Sequence, residues 1–241
     1  MASASELVVE HEPGDLTCVV LGGLRLSALQ GLLAAHGQRL SLDPPGDPTL
    51  EECLLDDLSG PLRHRFGTMR DLVLGVTVTL PDGTRASSGG KVVKNVAGYD
   101  LAKLFCGSGG RLGSVERLAL RLHPLPATTR TVLTGSERWP ELHRSALAPS
   151  AVDVLGPRLA VLFEGSERAV AAQAEELGGV DADPWDEIRE LQAALPGRRR
   201  WDGEPAPLVR PGPRVAYVED AGEAAWSPLA VRIVEALCNP S

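Results

Sequence analysis

The sequence predicts an α+β fold built from two units. Residues Leu72–Leu80 are rich in β-branched side chains, and from Val115 onward leucines alternate with charged residues, which is the pattern of strands with one buried face. Helical segments with capping residues alternate with strands along the rest of the chain. The proline-containing run PLPATTR ends the last strand of the first half. We therefore predict one unit over residues 1–126 and a second over residues 127–241.

The elements of the first unit are predicted from local signals. Ser27 followed by Gln30 has the spacing of a capping box, and Gly37 would end that helix. The tripeptide PDG joins two strands as a tight turn. Asp100 can cap a helix that Gly107 closes. The predicted elements are strands at Leu16–Leu21, Leu40–Leu42, Leu72–Leu80, Thr84–Ser88 and from Val115, and helices from Ser27, between Pro48 and Gly60, and over Asp100–Phe105.

The second unit continues the alternation of helices and strands. Ser166 caps a helix that a Gly-Gly pair ends, and Asp183 followed by Pro184 suits a helix start. We interpret Arg198–Arg200 as a solvated turn, because one short basic run does not outweigh an acidic chain. The predicted elements are strands at Thr131–Leu133, Val152–Leu155, Leu159–Phe163 and Val215–Val218, and helices over Pro140–Leu147, Ser166–Leu177, from Asp183, and over Ser227–Leu237.

Composition excludes several classes of function. A net charge of −8 over 241 residues, with 4% aromatic residues, argues against a nucleic-acid partner. No apolar run reaches the roughly 18 residues that a membrane span needs, and the N-terminus does not have a signal-peptide pattern. The four cysteines and five histidines are dispersed without metal-binding spacing, so we predict no metal site. These features predict a soluble cytoplasmic protein with reduced thiols.

Glycines are concentrated between the helix at Asp100 and the strand at Val115. The run GSGGRLG places four glycines within the seven residues Gly107–Gly113. Glycine permits positive φ and leaves backbone N–H groups open to a ligand. No G-K-[ST] follows, and the glycines come after a helix and before a strand, which is the reverse of the dinucleotide-binding order. The pattern alone therefore indicates only a ligand site lined by backbone.

At this point the sequence resembles a known family. The segment KVVKNVAGYDLAKLFCGSGGRLGSVERL is similar to that of FAD-linked oxidases with a PCMH-type flavin domain. Together with LSGPLRHRFGTMRDLVLG, it most resembles the FAD-binding E subunit of glycolate oxidase, over roughly Pro13 to Pro126. The resemblance implies an α+β PCMH-type FAD-binding domain, followed by a smaller α+β cap-like domain, with FAD as the cofactor.

The resemblance also implies which residues contact the flavin. Lys94 would stabilise negative charge on the reduced ring, although an ordinary surface lysine is the alternative. For Tyr99 the alternative is a packed core aromatic, because tyrosine buries area and needs one partner. No catalytic base is identified, because His64 and His123 fit structural or surface roles better. The implied cofactor contacts are Ser59, Gly60, Arg70, Asp71, Lys94, Asn95, Gly98, Tyr99, Asp100, Gly107, Ser108, Gly110, Leu112 and Gly113.

The function implied by the resemblance is oxidation of a small 2-hydroxyacid to the 2-oxoacid through flavin. Such a chain would work in a complex with a sister flavin subunit and an iron–sulfur subunit. An alternative is a non-catalytic scaffold or partner subunit that has lost FAD binding.

Two departures from the family motivate that alternative. Relatives carry T-V-G-G where this chain has Thr49-Leu50-Glu51-Glu52, so two carboxylates replace glycines next to the diphosphate. The chain is also expected to lack the first unit of the flavin domain, which carries a pyrophosphate-binding loop. An upstream start codon would restore that unit, but it would leave the two glutamates unexplained.

Overall fold

The computed structural model describes residues 4–90 and 100–219. The predicted helix Ser227–Leu237 lies outside these ranges. Two large antiparallel sheets and a two-stranded one organise the described part. One hydrophobic core packs on the first large sheet, and two pack on the second. The strands are β1 (Val8–Glu12), β2 (Thr17–Leu21), β3 (Gln38–Arg39), β4 (Val73–Thr79), β5 (Arg85–Gly89), β6 (Ser114–Arg121), β7 (His123–Pro124), β8 (Thr128–Gly135), β9 (Ala151–Leu155), β10 (Arg158–Gly165), β11 (Val180–Asp181), β12 (Gly197–Arg200), β13 (Leu208–Arg210) and β14 (Val215–Val218).

The α-helices are short in the first half and longer in the second. They are α1 (Leu26–Ala34), α2 (Leu50–Leu55), α3 (Arg63–Phe66), α4 (Met69–Leu72), α5 (Leu101–Phe105), α6 (Trp139–Arg144), α7 (Glu167–Leu177) and α8 (Trp185–Ala194). Among the described residues, no helix is long and apolar enough to cross a membrane.

The first sheet has the strand order β1-β2-β6-β4-β5, and every pairing is antiparallel. The leucine alternation predicted from Val115 is confirmed, since Leu118 and Leu120 are fully buried while Arg117 and Arg121 are exposed. Helices α1, α2 and α5 cover the apolar face, and Phe105 is fully buried in the same core. The predicted β4–β5 hairpin is also confirmed.

The second sheet has the order β11-β8-β10-β9-β13-β14-β12. Successive side chains of β10 face opposite sides of the sheet. Val161 and Phe163 pack in the cluster that includes Val170 of α7. Ala160 packs in a separate cluster with Ile188 of α8. The sheet is therefore covered on one face by α7 and on the other by α8.

Polar contacts join the two halves. Arg39 donates both terminal nitrogens to Glu164, at 2.7 and 2.6 Å, in a largely buried ion pair. The Gln192 side-chain amide donates to the Ser59 carbonyl at 2.7 Å. Arg65 donates to the Ser150 hydroxyl at 3.3 Å. These contacts fix the first sheet against the second, while the division of the chain after residue 126 stays a prediction.

Two predictions in the first half were wrong. The groups concerned form hydrogen bonds with residues far along the chain, and the sequence patterns had assigned them to local structure. The Ser27 hydroxyl donates to Asp47 instead of capping α1, whose N-cap is Arg25. The Gln30 amide donates to the Leu40 carbonyl. The short strand expected at Leu40–Leu42 lies two residues earlier, where β3 pairs with β7.

Two predictions in the second half also need correction. Arg198–Arg200 is not a turn, since it lies in β12 and pairs with β14. The N-cap of α8 is Pro184, not Asp183, and no side chain caps that helix.

Candidate functional site

The glycine-rich loop connects α5 to β6. Gly107, Gly109, Gly110 and Gly113 all have positive φ, as a loop of this composition predicts. A Cβ on Gly113 would lie 2.1 Å from the Thr79 carbonyl oxygen, so glycine is required there by close packing as well as by φ.

The amides of this loop are largely used within the protein. The Gly107 and Gly109 N–H groups donate to the carbonyls of Leu54 and Leu55, at 3.0 and 2.8 Å. These carbonyls belong to the last turn of α2, where helix carbonyls need partners from outside the helix. Three further loop amides bond within the chain, namely those of Ser108, Arg111 and Gly113. The loop thus fastens the C-terminal end of α2, and fewer amides face a ligand than the sequence suggested.

Helix α2 carries two glutamates, Glu51 and Glu52, in its first turn. Thr49 and Glu52 form a capping box, in which the Thr49 amide donates to the Glu52 carboxylate at 2.6 Å. Hydrogen bonds from Thr49 hold the pKa of Glu52 below its ordinary value. Glu51 accepts a hydrogen bond from the Val115 amide at 2.7 Å. One glutamate therefore caps the helix, and the other attaches it to the start of β6.

The loop after β2 bonds both α2 and β6. Gly22 donates its amide to Glu116 and accepts from the Glu51 amide, both at 2.9 Å. A Cβ on Gly22 would lie 2.2 Å from the Val115 carbonyl oxygen. Backbone segments from β2, α2 and β6 therefore meet at van der Waals distance, and this region is closed by its own residues.

Arg70 and Asp71 lie in α4, against the helix that Asp100 caps. Asp71 accepts from the Thr68 amide at 2.9 Å, which completes a capping box. The Arg70 guanidinium contacts the Lys103 carbonyl of α5 at 3.4 Å. The predicted cap of α5 is confirmed, since the Asp100 carboxylate accepts from the Lys103 amide at 3.2 Å. Two of the implied cofactor residues, Arg70 and Asp100, therefore both bond the backbone of Lys103 in α5.

Ser59 and Gly60 lie on another side of the first unit, against the second half. Ser59 is buried, and a Cβ on Gly60 would lie 1.8 Å from the Asp43 carbonyl oxygen. The Asp43 carboxylate accepts from the Leu62 amide at 3.0 Å. Burial raises the pKa of Asp43 to about 7. Gly60 therefore packs against Asp43, and the Asp43 carboxylate attaches the DPP segment to the start of α3.

The remaining implied contacts divide into three groups. Leu112 is buried in the core of the first unit. The Ser108 hydroxyl is buried and has no hydrogen-bond partner among the described residues, so it is the polar side chain of the loop that remains available. Lys94, Asn95, Gly98 and Tyr99 lie outside the described residues. The assignment of all these residues to a cofactor stays a prediction.

The two histidines considered as bases pack into the protein. Burial lowers the pKa of His64. Burial and the charge of Arg121 lower the pKa of His123 to about 4, and its ring lies 4.7 Å from that of Phe66. Both imidazoles are therefore neutral at pH 7. Burial also raises the pKa of the Cys106 thiol to about 12, which makes it a poor nucleophile at neutral pH.

Sequence reasoning missed a buried polar network in the second half. Arg210 is fully buried and donates to Asp153 at 3.0 Å, to the Tyr217 hydroxyl, and to Gln192 at 2.6 Å. Gln192 in turn bonds Ser59, so the network reaches the first unit. The signal in the sequence was the lone acid in the apolar strand AVDVL, because a buried carboxylate requires a partner.

Sequence reasoning also missed a cleft of about 440 Å³ that arginines line. Within residues 4–90 and 100–219, no group of three or more histidine, cysteine or acidic side chains is placed to hold a metal ion.

Comparison with known proteins confirms the resemblance and the α+β fold. Residues 2–89 match the family model of an FAD binding domain. The chain is 32% identical to glycolate oxidase subunit GlcE of Escherichia coli, over 79% of this chain and 58% of that protein. It is 45% identical to glycolate oxidase subunit GlcD of Bacillus subtilis, over 44% of this chain and 22% of that protein. It is 29% identical to a mitochondrial D-lactate dehydrogenase of Saccharomyces cerevisiae, over 66% of this chain and 28% of that protein.

Solved structures agree on the fold. Two structures of alkyldihydroxyacetonephosphate synthase superpose with TM-scores of 0.58 and 0.61, at 17% and 16% identity. They cover 70% and 76% of this chain but only 38% and 44% of the synthase. The chain thus has a PCMH-type FAD-binding fold. It spans 58% of the length of GlcE and less than a third of the other two curated relatives.

The family match supports FAD as the cofactor. The α2 side of the glycine loop does not fit the diphosphate of such a cofactor, because Glu51 already holds the Val115 amide. The amides of Gly107 and Gly109 are likewise bonded to carbonyls of α2.

Proposed function

We propose that this chain is an FAD-linked oxidoreductase subunit of the glycolate oxidase type. It would take part in oxidising a small 2-hydroxyacid to the 2-oxoacid, in a complex with a sister flavin subunit and an iron–sulfur subunit. The observation that carries the proposal is the similarity to GlcE, which extends over 204 residues and therefore includes much of the second half. The proposal includes a cytoplasmic location and a cap-like unit over residues 127–241.

FAD, when bound, would supply the hydride acceptor for this chemistry. The described residues hold α5 and the glycine-rich loop against α2 and β6. Helix α5, capped by Asp100, and the loop after it are attached to α2, and Glu51 attaches α2 to β6. Among residues 4–90 and 100–219, none is assigned as the base that removes the substrate proton.

The first experiment is to purify the full chain and titrate it with FAD, following flavin fluorescence. We expect saturable binding with one FAD per chain. The tagged chain, recovered from its native host, should bring down partner subunits and reduce a dye with glycolate or D-lactate. A chain that binds no FAD and recovers no dye-reducing activity would refute the proposal.

A non-catalytic partner subunit is the second candidate, and one observation favours it. The Glu51 carboxylate occupies the Val115 amide, and Glu52 adds a second negative charge in the first turn of α2. A diphosphate approaching α2 would meet both charges.

The double substitution Glu51→Gln and Glu52→Gln separates the two candidates. It removes both charges but keeps an acceptor at each position, so the fold is retained. If the carboxylates have abolished FAD binding, the variant will bind FAD more tightly than the natural chain. Asp186→Asn with Glu187→Gln is the matched control, since it removes two charges from α8. Equal FAD affinity in the natural chain and both variants would count against the second candidate.

A further inference from the structure

Five arginines line a single cleft where the two halves of the chain meet. The cleft has a volume of about 440 Å³. Arg63 comes from α3 of the first half, whereas the others come from β12 and from the turn before β14. The arginines are Arg63, Arg198, Arg199, Arg200 and Arg214, and Asp57 lines the same cleft. Such a concentration of positive charge is unexpected in a chain whose net charge is −8.

Acidic groups compensate only part of this charge. Asp57 directs its carboxylate away toward the Cys106 thiol, which donates to it at 3.3 Å. Asp202 pairs with Arg199 at 3.2 Å. Of the five arginines, only Arg199 makes an ion pair with an acid within residues 4–90 and 100–219. Like charges held in one concave surface repel each other unless an anion lies between them.

Two of the guanidinium groups are open to a ligand. Within residues 4–90 and 100–219, the Arg200 and Arg214 side chains make no hydrogen bond or ion pair. The Arg198 guanidinium, by contrast, donates to the Asp57 carbonyl at 2.9 Å. Arg63 donates to the Ser59 hydroxyl at 3.2 Å. The cleft thus combines two anchored arginines with two whose donors are free.

The backbone holds these side chains in place. Arg198 and Arg200 lie in β12, where they pair with Tyr217 and Val215 of β14. Arg214 has a φ of 57°, which is rare for a residue with a long side chain. Its amide donates to Pro211, and its carbonyl accepts from Trp201 at 2.8 Å. A strained residue of this kind persists where the surrounding structure over-determines it, and such residues cluster at binding sites.

We propose that this cleft binds a diphosphate group. Guanidinium groups present paired N–H donors that match phosphate oxygens, and they remain charged at any physiological pH. The volume lies within the range of small-molecule sites, which favours a compact anion over an acidic protein surface.

The cleft also lies beside the glycine-rich loop. Asp57 lines the cleft, and its Cβ would lie 3.6 Å from a Cβ on Gly107. A ligand whose diphosphate is held by the arginines can therefore also contact the glycine-rich loop. Free diphosphate, a nucleoside diphosphate and a flavin dinucleotide share the group that is recognised. Binding of the inorganic ion does not depend on the function proposed above.

The test is calorimetric titration of the full-length chain with inorganic diphosphate, ADP and FAD at low ionic strength. The double variant Arg200→Gln and Arg214→Gln removes the two free guanidinium groups, both of which are exposed. We expect at least one of the three compounds to bind the natural chain, and the double variant to bind it about 10- to 100-fold more weakly. Raising the salt concentration should also weaken binding.

Arg168→Gln is the control, because Arg168 is an exposed arginine of α7 that does not line the cleft. Circular dichroism establishes that each variant is folded, and Arg63→Gln tests the cleft from its other side. No binding by any of the three compounds, or equal affinity in the double variant, would overturn the proposal. Equally tight binding of a poly-glutamate peptide would overturn it too. If the chain binds inorganic diphosphate but not FAD, the proposal for the cleft stands and only the proposed flavin function is refuted.

Discussion

The substitution Glu51→Ala tests whether this glutamate stabilises the fold through its hydrogen bond to Val115. Its carboxylate accepts the Val115 amide at 2.7 Å, and Val115 is only 4% exposed. A hydrogen bond to a charged group contributes about 1.5–3 kcal/mol, and the alanine variant leaves a poorly hydrated N–H without a partner. We therefore expect a loss of about 2 kcal/mol in the free energy of unfolding.

The assay is urea unfolding at pH 7, followed by two probes. With an m-value of about 3 kcal/mol/M, the expected loss lowers the midpoint by about 0.7 M. All four tryptophans lie at position 139 or later, so fluorescence reports the second half, whereas far-UV circular dichroism reports both. A shift seen by circular dichroism alone would show that residues 1–126 unfold separately.

Two comparisons make the result specific. Glu51→Gln keeps an acceptor at the same position and should lose about half as much stability. Glu176→Ala removes an exposed carboxylate from α7 and should change stability by less than about 0.5 kcal/mol. If Glu51→Ala is as stable as Glu176→Ala, the hydrogen bond to Val115 does not stabilise the fold and the prediction is wrong.

Three further predictions concern buried polar groups and close packing within each half. Asp153→Ala leaves the fully buried Arg210 without its carboxylate, so we expect a loss of about 3–5 kcal/mol in urea unfolding, and a loss below 1 kcal/mol would contradict it. Gly60→Ala places a methyl group against the Asp43 carbonyl and should cost about 3 kcal/mol or prevent folding, whereas Gly23→Ala, which has open space, should be tolerated. Burial raises the pKa of Asp43 to about 7, so the folded state holds this proton more tightly than the unfolded state does. Its contribution to stability is therefore complete below pH 4 and is lost as the pH rises through 7. Asp43→Asn should flatten the stability profile over this interval, and an unchanged slope would refute the assignment.

The sequence was sufficient to predict the structure where the interacting residues are close along the chain. Asp100 caps α5 as expected, and the alternating leucines of β6 face the core. It was insufficient where a partner lies far away, because a hydroxyl or amide takes whichever acceptor the fold brings near it. Ser27 bonds Asp47, twenty positions along the chain, and so does not cap its own helix.

The glycine loop shows the same limit at the candidate site. Its glycines and its positive φ values follow from the sequence. The partners of the Gly107 and Gly109 amides do not, since these amides bond α2, a helix about fifty residues earlier. The arginine cleft likewise could not be predicted from the sequence, because Arg63 and Arg214 come from opposite halves of the chain.

The arginine-rich strand β12 has a consequence for association between chains. It lies at one end of the seven-stranded sheet as the described residues form it, with β14 on its inner side. The outer edge of such a strand offers unpaired N–H and C=O groups to any other extended chain. Arg198–Arg200 would bring three positive charges from each copy into register if two such edges met, and this repulsion opposes growth of the sheet from one molecule to the next. High concentrations of a polyanion should remove that protection.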